Sequence, residues 1–243
     1  MTPMPAHTSD NALTANNHGS APLEKENTRD VYFSADVETD GPIPGPFSML
    51  SFALVYAGAF DGHQFTRPAS YEQRFYVEIK PISDHFDPEA LRVNGMDRER
   101  LFREGQSPET AMKAASDWIQ RIAGPGKPVL VAYPLSFDWS WLYWYFIRFS
   151  SESPFNYSRC FDIKTAFAIK AQVPIADAGQ SRLDFALRPH HSHTHHAMDD
   201  AIAQAEIFAN VFQWEGRGGG VTRAAENQNS KAHPRVKKQV DRR

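Results

Sequence analysis

The run Val31-Tyr32-Phe33-Ser34-Ala35-Asp36-Val37-Glu38 is apolar along most of its length and ends in two carboxylates. A run this apolar predicts a strand buried within a sheet. Successive strand side chains point to opposite faces, so Asp36 and Glu38, two apart, fall on the same face. Two carboxylates held side by side repel unless a cation lies between them. Hard oxygen ligands of this kind suit Mg²⁺ or Mn²⁺. The plainer alternative is a pair of solvated loop acids.

The rest of the chain supplies partners for such a strand. Met49 to Ala57 reads as a second strand, and Tyr71 to Ile79 alternates as a third. Asp87-Pro88-Glu89 and Ser107-Pro108-Glu109 are helix starts, each with a capping residue before a proline. The second start opens a helix with Ala111, Ala115, Trp118, Ile119 and Ile122 on one face. Pro128 to Ala132 reads as a short buried strand, Phe137 to Phe149 as an aromatic helix and Asp162 to Ala171 as a short helix. His196 to Trp214 reads as a long final helix, with Ala197, Ala201, Ala205, Phe208 and Phe212 inward. Three strands followed by alternating helices and strands predict an α/β fold, a mixed sheet flanked by helices in a single domain over 29–215.

The ends read differently. Residues 1–28 are small, polar and aperiodic, which predicts a disordered N-terminal tail. Residues 216–243 begin Gly-Arg-Gly-Gly-Gly and predict a disordered basic tail, either merely solvated or a tether for polyanions. The chain's net charge of −3 conceals a body at −7 and a C-terminal tail at +6. Near-neutrality therefore does not exclude a nucleic-acid partner. Cys160 is the one cysteine, so no intramolecular disulfide and no Cys-rich zinc site can form. The lone cysteine, the absence of a membrane-length apolar run and an N-terminus unlike a signal peptide together lead us to expect a cytoplasmic protein with no membrane partner.

Two further motifs carry chemistry. Phe137-Asp138 follows the strand Pro128 to Ala132 and opens the aromatic helix, so Asp138 is either a helix cap or a metal ligand at a strand's carboxyl end. His195-His196-Ala197-Met198-Asp199-Asp200-Ala201 enters the last helix. A loop-borne His beside a helix-borne metal ligand can reach an attacking water. The alternative is a His-rich loop (His190, His191, His193, His195, His196) that binds transition metal. Trp139 and Trp141, in the aromatic run beside Asp138, either pack against the sheet or stack on bases. Lys80, Arg92 and Arg98 are candidates to contact phosphates, the alternative being lone surface cations with no specific role.

Taken in order and spacing, these motifs resemble the DEDDh 3′–5′ exonucleases, a family built around four acids and a histidine. Its Asp-x-Glu-Thr-x-Gly motif is matched by Asp36, Glu38, Thr39 and Gly41, and its Phe-Asp by Phe137-Asp138. Its His-x-Ala-x-x-Asp-Ala motif is matched by His195, Ala197, Asp200 and Ala201. Asn94-Gly95-Met96, Phe161 to Thr165 and Leu183 to Leu187 are weaker echoes, and the resemblance spans about Asp30 to Trp214. Tyr133-Pro134 departs from the His-Asn that members commonly carry before the second-motif Asp. His196 and Asp199 compete for their roles, but Ala197 fits the register of His195 and Asp200.

The resemblance implies an RNase H-like fold and a two-metal mechanism. Asp36, Glu38, Asp138 and Asp200 would hold two Mg²⁺ or Mn²⁺ ions, and His195 would act as general base. The substrate it implies is the 3′ end of single-stranded DNA or RNA, released as nucleoside 5′-monophosphates. Thr39, Gly41, Asn94 and Tyr133 are the candidates for the terminal-nucleotide pocket. Members often pair, which leaves a homodimer open. A catalytically silent nucleic-acid-binding module and a metal-binding scaffold centred on the His cluster are the rival readings.

Overall fold

The computed structural model describes residues 29–191 and 194–217. The tails expected over 1–28 and beyond 217, and His193 of the His-rich loop, lie outside those residues. In chain order the elements are β1 (Asp30–Thr39), β2 (Met49–Phe60), β3 (Phe65–Thr66), β4 (Arg74–Glu78), α1 (Pro88–Asn94), α2 (Arg98–Glu104) and α3 (Pro108–Ala123). They continue with β5 (Lys127–Ala132), α4 (Leu135–Ser150), β6 (Cys160–Asp162), α5 (Ile163–Ala171) and α6 (Ala197–Gln213). Among the described residues, no helix is long and apolar enough to cross a membrane.

The strands form one mixed sheet in the order β3-β2-β1-β5-β6, with β4 also on β2. β1 is central, antiparallel to β2 and parallel to β5. Its period of two separates two cores. Val31, Phe33, Ala35 and Val37 pack with Trp118 of α3 and Trp141, Tyr145 and Phe146 of α4. Tyr32 faces the other way, with Phe167 of α5 and Ala201, Ala205 and Phe208 of α6. Asp36 and Glu38 therefore share the face that α6 covers. The aromatic helix packs mainly by its buried residues Trp141, Leu142, Tyr145 and Phe146, so Trp141 is closed to any base.

The β1–β5 pairing ends at Ser34 opposite Val131. Beyond it, β1 runs on to Thr39 paired only with β2, and a register shift in that pairing follows Glu38. The chain leaving β5 turns through Tyr133-Pro134 into α4. Its Asp138 accepts a hydrogen bond from Val37 N–H at 3.2 Å, a donor that a longer β5 would otherwise take. α4 begins at Leu135, and Asp138 lies within its first turn rather than at its cap.

Several elements differ from expectation, each for a local reason. α2, Arg-Glu-Arg-Leu-Phe-Arg-Glu, is almost wholly charged, so no apolar period announced it. Asp97 caps it by accepting from Arg100 N–H. β3 and β6 are two and three residues long, too short for a period to register. The stretch from Leu183 to Leu187, a weaker echo of the family, holds the second of two single 3₁₀ turns, Gln180–Arg182 and Phe185–Leu187. The start of the basic tail is held down: Arg217 N–H donates to Lys170 O at 3.0 Å, and the Arg217 guanidinium pairs with Asp184 at 2.6 Å. Lys170 Nζ in turn caps α6, donating to the carbonyls of Val211, Phe212 and Trp214 at 2.7–2.9 Å.

Arg98, a candidate phosphate contact, instead holds the end of β1. It is buried, its Nε donates to Asp40 at 2.8 Å, and it also donates to the Ser83 carbonyl. Its guanidinium lies over Phe86 and Phe102, 5.1 and 4.7 Å from the ring centroids. Asp40 is fully buried and also accepts from Ser48 N–H. Arg92 is likewise engaged, with Glu89. Removing one member of a buried pair strands the other charge. Arg98→Met is expected to lower unfolding free energy by about 3–5 kcal/mol in urea denaturation, with the folded baseline still native.

Candidate active site

Three elements deliver acids to one place. Asp36 and Glu38 come from the free end of β1, and Asp200 from the first turn of α6. One oxygen of each lies within 4.8 Å of the others. Asp138 borders the group from α4, close enough for its charge to push up the pKa of both Asp36 and Glu38. The sequence-matched acids are thus brought together, three in direct reach of one ion and the fourth beside them.

Their ionisation reports the crowding. Burial first, then the charges of Asp138, Glu38 and Asp200, hold Asp36 well above the ordinary carboxylate range. Burial and the charges of Asp200 and Asp138 push Glu38 up to about 8. Burial raises Asp138 to about 7, against the opposing hydrogen bonds from its own and Val37 backbone N–H. A cluster in which each charge opposes the next has the donor chemistry of a candidate cation site. Oxygen-only ligands of this density fit a hard divalent ion.

The loop before α6 is tied to the same acid. Asp200 accepts from Thr194 N–H at 2.8 Å and His195 N–H at 3.1 Å, one on each oxygen. His195 has φ 58, in the left-handed region that non-glycine residues rarely occupy. The two amide bonds hold that conformation in place. The neighbouring histidines are distinct. His196 precedes the first turn of α6 and its ring stacks on Tyr76, with centroids 5.0 Å apart. His195 and His196 both line a recess of about 280 Å³ that opens on Glu38. His191 is not part of it: its Nδ1 lies 2.9 Å from Glu206 Oε1, farther along α6.

Glu38 also lines a second cleft, of about 370 Å³, together with Thr39, Gly41, Val93, Asn94 and Phe137 among others. Thr39 Oγ1 donates to Gly41 O at 2.9 Å, and Asn94 Nδ2 donates to Thr39 O at 2.9 Å. Asn94 Oδ1 accepts from Met96 N–H, so this side chain braces the cleft wall. Gly41 is glycine for a packing reason: a Cβ there would sit 2.1 Å from the Phe47 ring. Tyr133, expected in this pocket, is absent from it. Its ring is buried in the α5–α6 core, where its hydroxyl donates to Ala178 O at 2.8 Å. The hydroxyl found a buried carbonyl partner there, which a solvent-facing pocket would not have offered.

Three site residues escaped the sequence reading. Val93 and Phe137 are 48% and 40% exposed and present apolar surface to the cleft. The Phe-Asp motif names Phe137 without assigning it a role in the cleft. Gln204 is the third: buried one turn after Asp200, its Nε2 donates to Asp36 at 2.8 Å. A polar residue at four past Asp200, on the face otherwise given to alanine, was the available signal.

The model of the Rv2179c-like 3′-5′ exoribonuclease domain matches residues 62–212. The chain belongs to this 3′–5′ exonuclease family. The 3′-5′ DNA exonuclease Cap18 of Escherichia coli is 32% identical over 181 residues, covering 74% of this chain and 90% of Cap18. Solved structures share the fold at low identity. Cell-death related nuclease 4 superposes with a TM-score of 0.55 at 14% identity, over 76% of this chain and 63% of that one. The nuclease domain of 3′hExo, a DEDDh family member bound to rAMP, gives 0.53 at 14% identity, over 79% and 96%. E. coli exonuclease I in complex with a dT13 oligonucleotide gives 0.51 at 16% identity, over 85% of this chain and 44% of that enzyme. The fold of this family member is accordingly RNase H-like. Asp36 and Glu38 precede the matched stretch, and the sheet is what unites them with Asp138 and Asp200.

The raised carboxyls set a pH dependence. A carboxyl whose pKa is higher folded than unfolded favours the folded state while it is protonated. That contribution is fully present below about pH 4, where the unfolded carboxyls are protonated too, falls as pH rises, and is gone above about 7 to 8, the folded values of Asp138 and Glu38. The cation-free protein should therefore lose thermal stability across that window, and Glu38→Gln should lose less. Mn²⁺ should raise Tm more at about pH 8 than at about pH 6, because its ligands must be ionised. Calorimetry at constant ionic strength checks both, and a flat Tm would contradict the crowding.

Proposed function

We propose that this chain is a metal-dependent 3′–5′ exonuclease that releases nucleoside 5′-monophosphates from the 3′ ends of single-stranded nucleic acid. The observation that carries the reading is the convergence of Asp36, Glu38 and Asp200, with Asp138 beside them and the His195 loop pinned to Asp200. Family membership supports it, as does the presence of rAMP and dT13 on the same fold in 3′hExo and exonuclease I.

Two Mg²⁺ or Mn²⁺ ions held by Asp36, Glu38, Asp138 and Asp200 would supply Lewis acidity and charge neutralisation at the scissile phosphate. The protein's own groups do the rest. His195 takes the proton of the attacking water. The water oxygen bonds to phosphorus, the bond from phosphorus to the preceding 3′ oxygen breaks, and that oxygen leaves and takes a proton from solvent water to become the new 3′ hydroxyl. Asp200, by accepting from two successive loop amides, sets where His195 stands relative to the phosphate. The cleft beside Glu38 receives the terminal nucleoside, with its base against Val93 and Phe137. A silent binding module of the same fold has no use for four mutually repelling acids, whose crowding opposes folding in the ionised state.

The test uses 5′-labelled single-stranded DNA and RNA of one sequence with Mg²⁺ or Mn²⁺. The expected result is stepwise shortening from the 3′ end with mononucleotide release, and none in EDTA. Asp36→Asn and Asp200→Asn should each abolish release while the folded baseline persists, and retained hydrolysis in either would overturn the site. His195→Ala should lower kcat by about 10²–10⁴-fold and leave Mn²⁺ affinity in place. Lost affinity would make His195 a ligand instead. Phe137→Ala should raise KM about tenfold, the order expected for one base–aromatic contact, with kcat nearly unchanged.

A further inference from the structure

Gln204 is a buried amide with both ends occupied. Its Oε1 accepts from the backbone N–H of Tyr133 at 2.6 Å, and its Nε2 donates to Asp36 Oδ1 at 2.8 Å. The amide can sit only one way round. A peptide N–H can only donate, so the carbonyl end must face Tyr133, and the NH₂ end is thereby turned to the carboxylate.

The position of this residue ties together what the site needs. Asp36 is on β1. Tyr133 lies in the link between β5 and α4, five residues before Asp138. Gln204 is one turn after Asp200 on α6. One side chain therefore joins the three segments that carry the four acids. A donor on one oxygen of Asp36 fixes the rotation of the carboxylate about its Cβ–Cγ bond, which sets the direction of its remaining lone pairs.

From this geometry we infer that Gln204 is a positioning residue that orients Asp36 for divalent-cation binding and holds the β5–α4 link at a set distance from β1. The inference rests on the proposed exonuclease site, but its first readout is metal binding and does not require turnover. An outer partner of a metal ligand characteristically changes affinity or rate by about 10–100-fold when lost.

The test measures Mn²⁺ binding by titration calorimetry, single-strand hydrolysis and Tm in the full chain and in Gln204→Met, which keeps the volume and removes both hydrogen bonds. The expected result is a Mn²⁺ dissociation constant raised about tenfold or more. kcat should fall by a similar factor, with KM for the oligonucleotide within about threefold of the original. A variant that loses only Tm, with Mn²⁺ affinity and kcat intact, would make Gln204 a structural brace and overturn the inference. If Gln204→Met does not fold, the unaltered chain carries the test. The side-chain amide resonance of Gln204 in ¹⁵N spectra should shift with Mg²⁺ and follow the binding isotherm, and a resonance that stays put overturns it. A chain that binds Mn²⁺ in a Gln204-dependent way yet hydrolyses nothing would sink the exonuclease reading and leave this one standing.

Discussion

The mutual repulsion of the acids around Asp36 is the constraint on which the site depends. Burial and three neighbouring charges all disfavour its ionised form, so the arrangement persists only because the sheet and its helices are anchored elsewhere. On one face of the sheet that anchor is the cluster of Phe33, Trp118, Trp141, Tyr145 and Phe146; on the other it is Tyr32, Phe167 and Phe208. Burial of this many aromatic side chains outweighs the electrostatic cost of the acids. The opposition is then available as binding energy for a cation, which relieves it.

The same economy shows in how the elements end. β1 outlasts β5, which leaves Val37 N–H without a ladder partner on that side, and Asp138 takes that place. One carboxylate thus closes a backbone donor and borders the acidic cluster. Asp200 likewise accepts from the loop bearing His195 and supplies an oxygen to the cluster. Just past the same end of β1, Asp40 stands outside the group of Asp36, Glu38 and Asp200. Its pairing with buried Arg98 fastens the strand's end to the α1–α2 region, which also supplies Val93 and Asn94 to the cleft.

What could be read from residues alone was governed by period and by spacing. The two-residue period of β1 put Asp36 and Glu38 on one face, and the four-residue recurrence of Ala197, Ala201 and Ala205 identified the inner face of α6. Asp138 and Asp200 were legible because a motif stands beside each. Tyr133 was misplaced because a motif fixes a residue's address and not the way its side chain turns. Its hydroxyl finds Ala178 O, 45 residues farther along the chain, and no local pattern announces that partner. Arg98 was misread for the same reason: its charge looked available, while Asp40, Phe86 and Phe102 enclose it.

The sequence by itself singled out the four acids that the fold brings near one another, the face on which the first pair lies and the family to which the chain belongs. These follow from local period and from motifs of fixed spacing, which survive without knowledge of the fold. Only the tertiary structure decided that three of the acids come within reach of one ion while Asp138 stays bound to Val37 N–H beside them. It also decided that His196 stacks on Tyr76 while His195 is held by Asp200, and that Gln204 bridges Asp36 to Tyr133. The physical reason is separation along the chain. Gln204 and Asp36 are 168 residues apart, and a hydrogen bond across that span exists only after the sheet has closed and α6 has packed upon it.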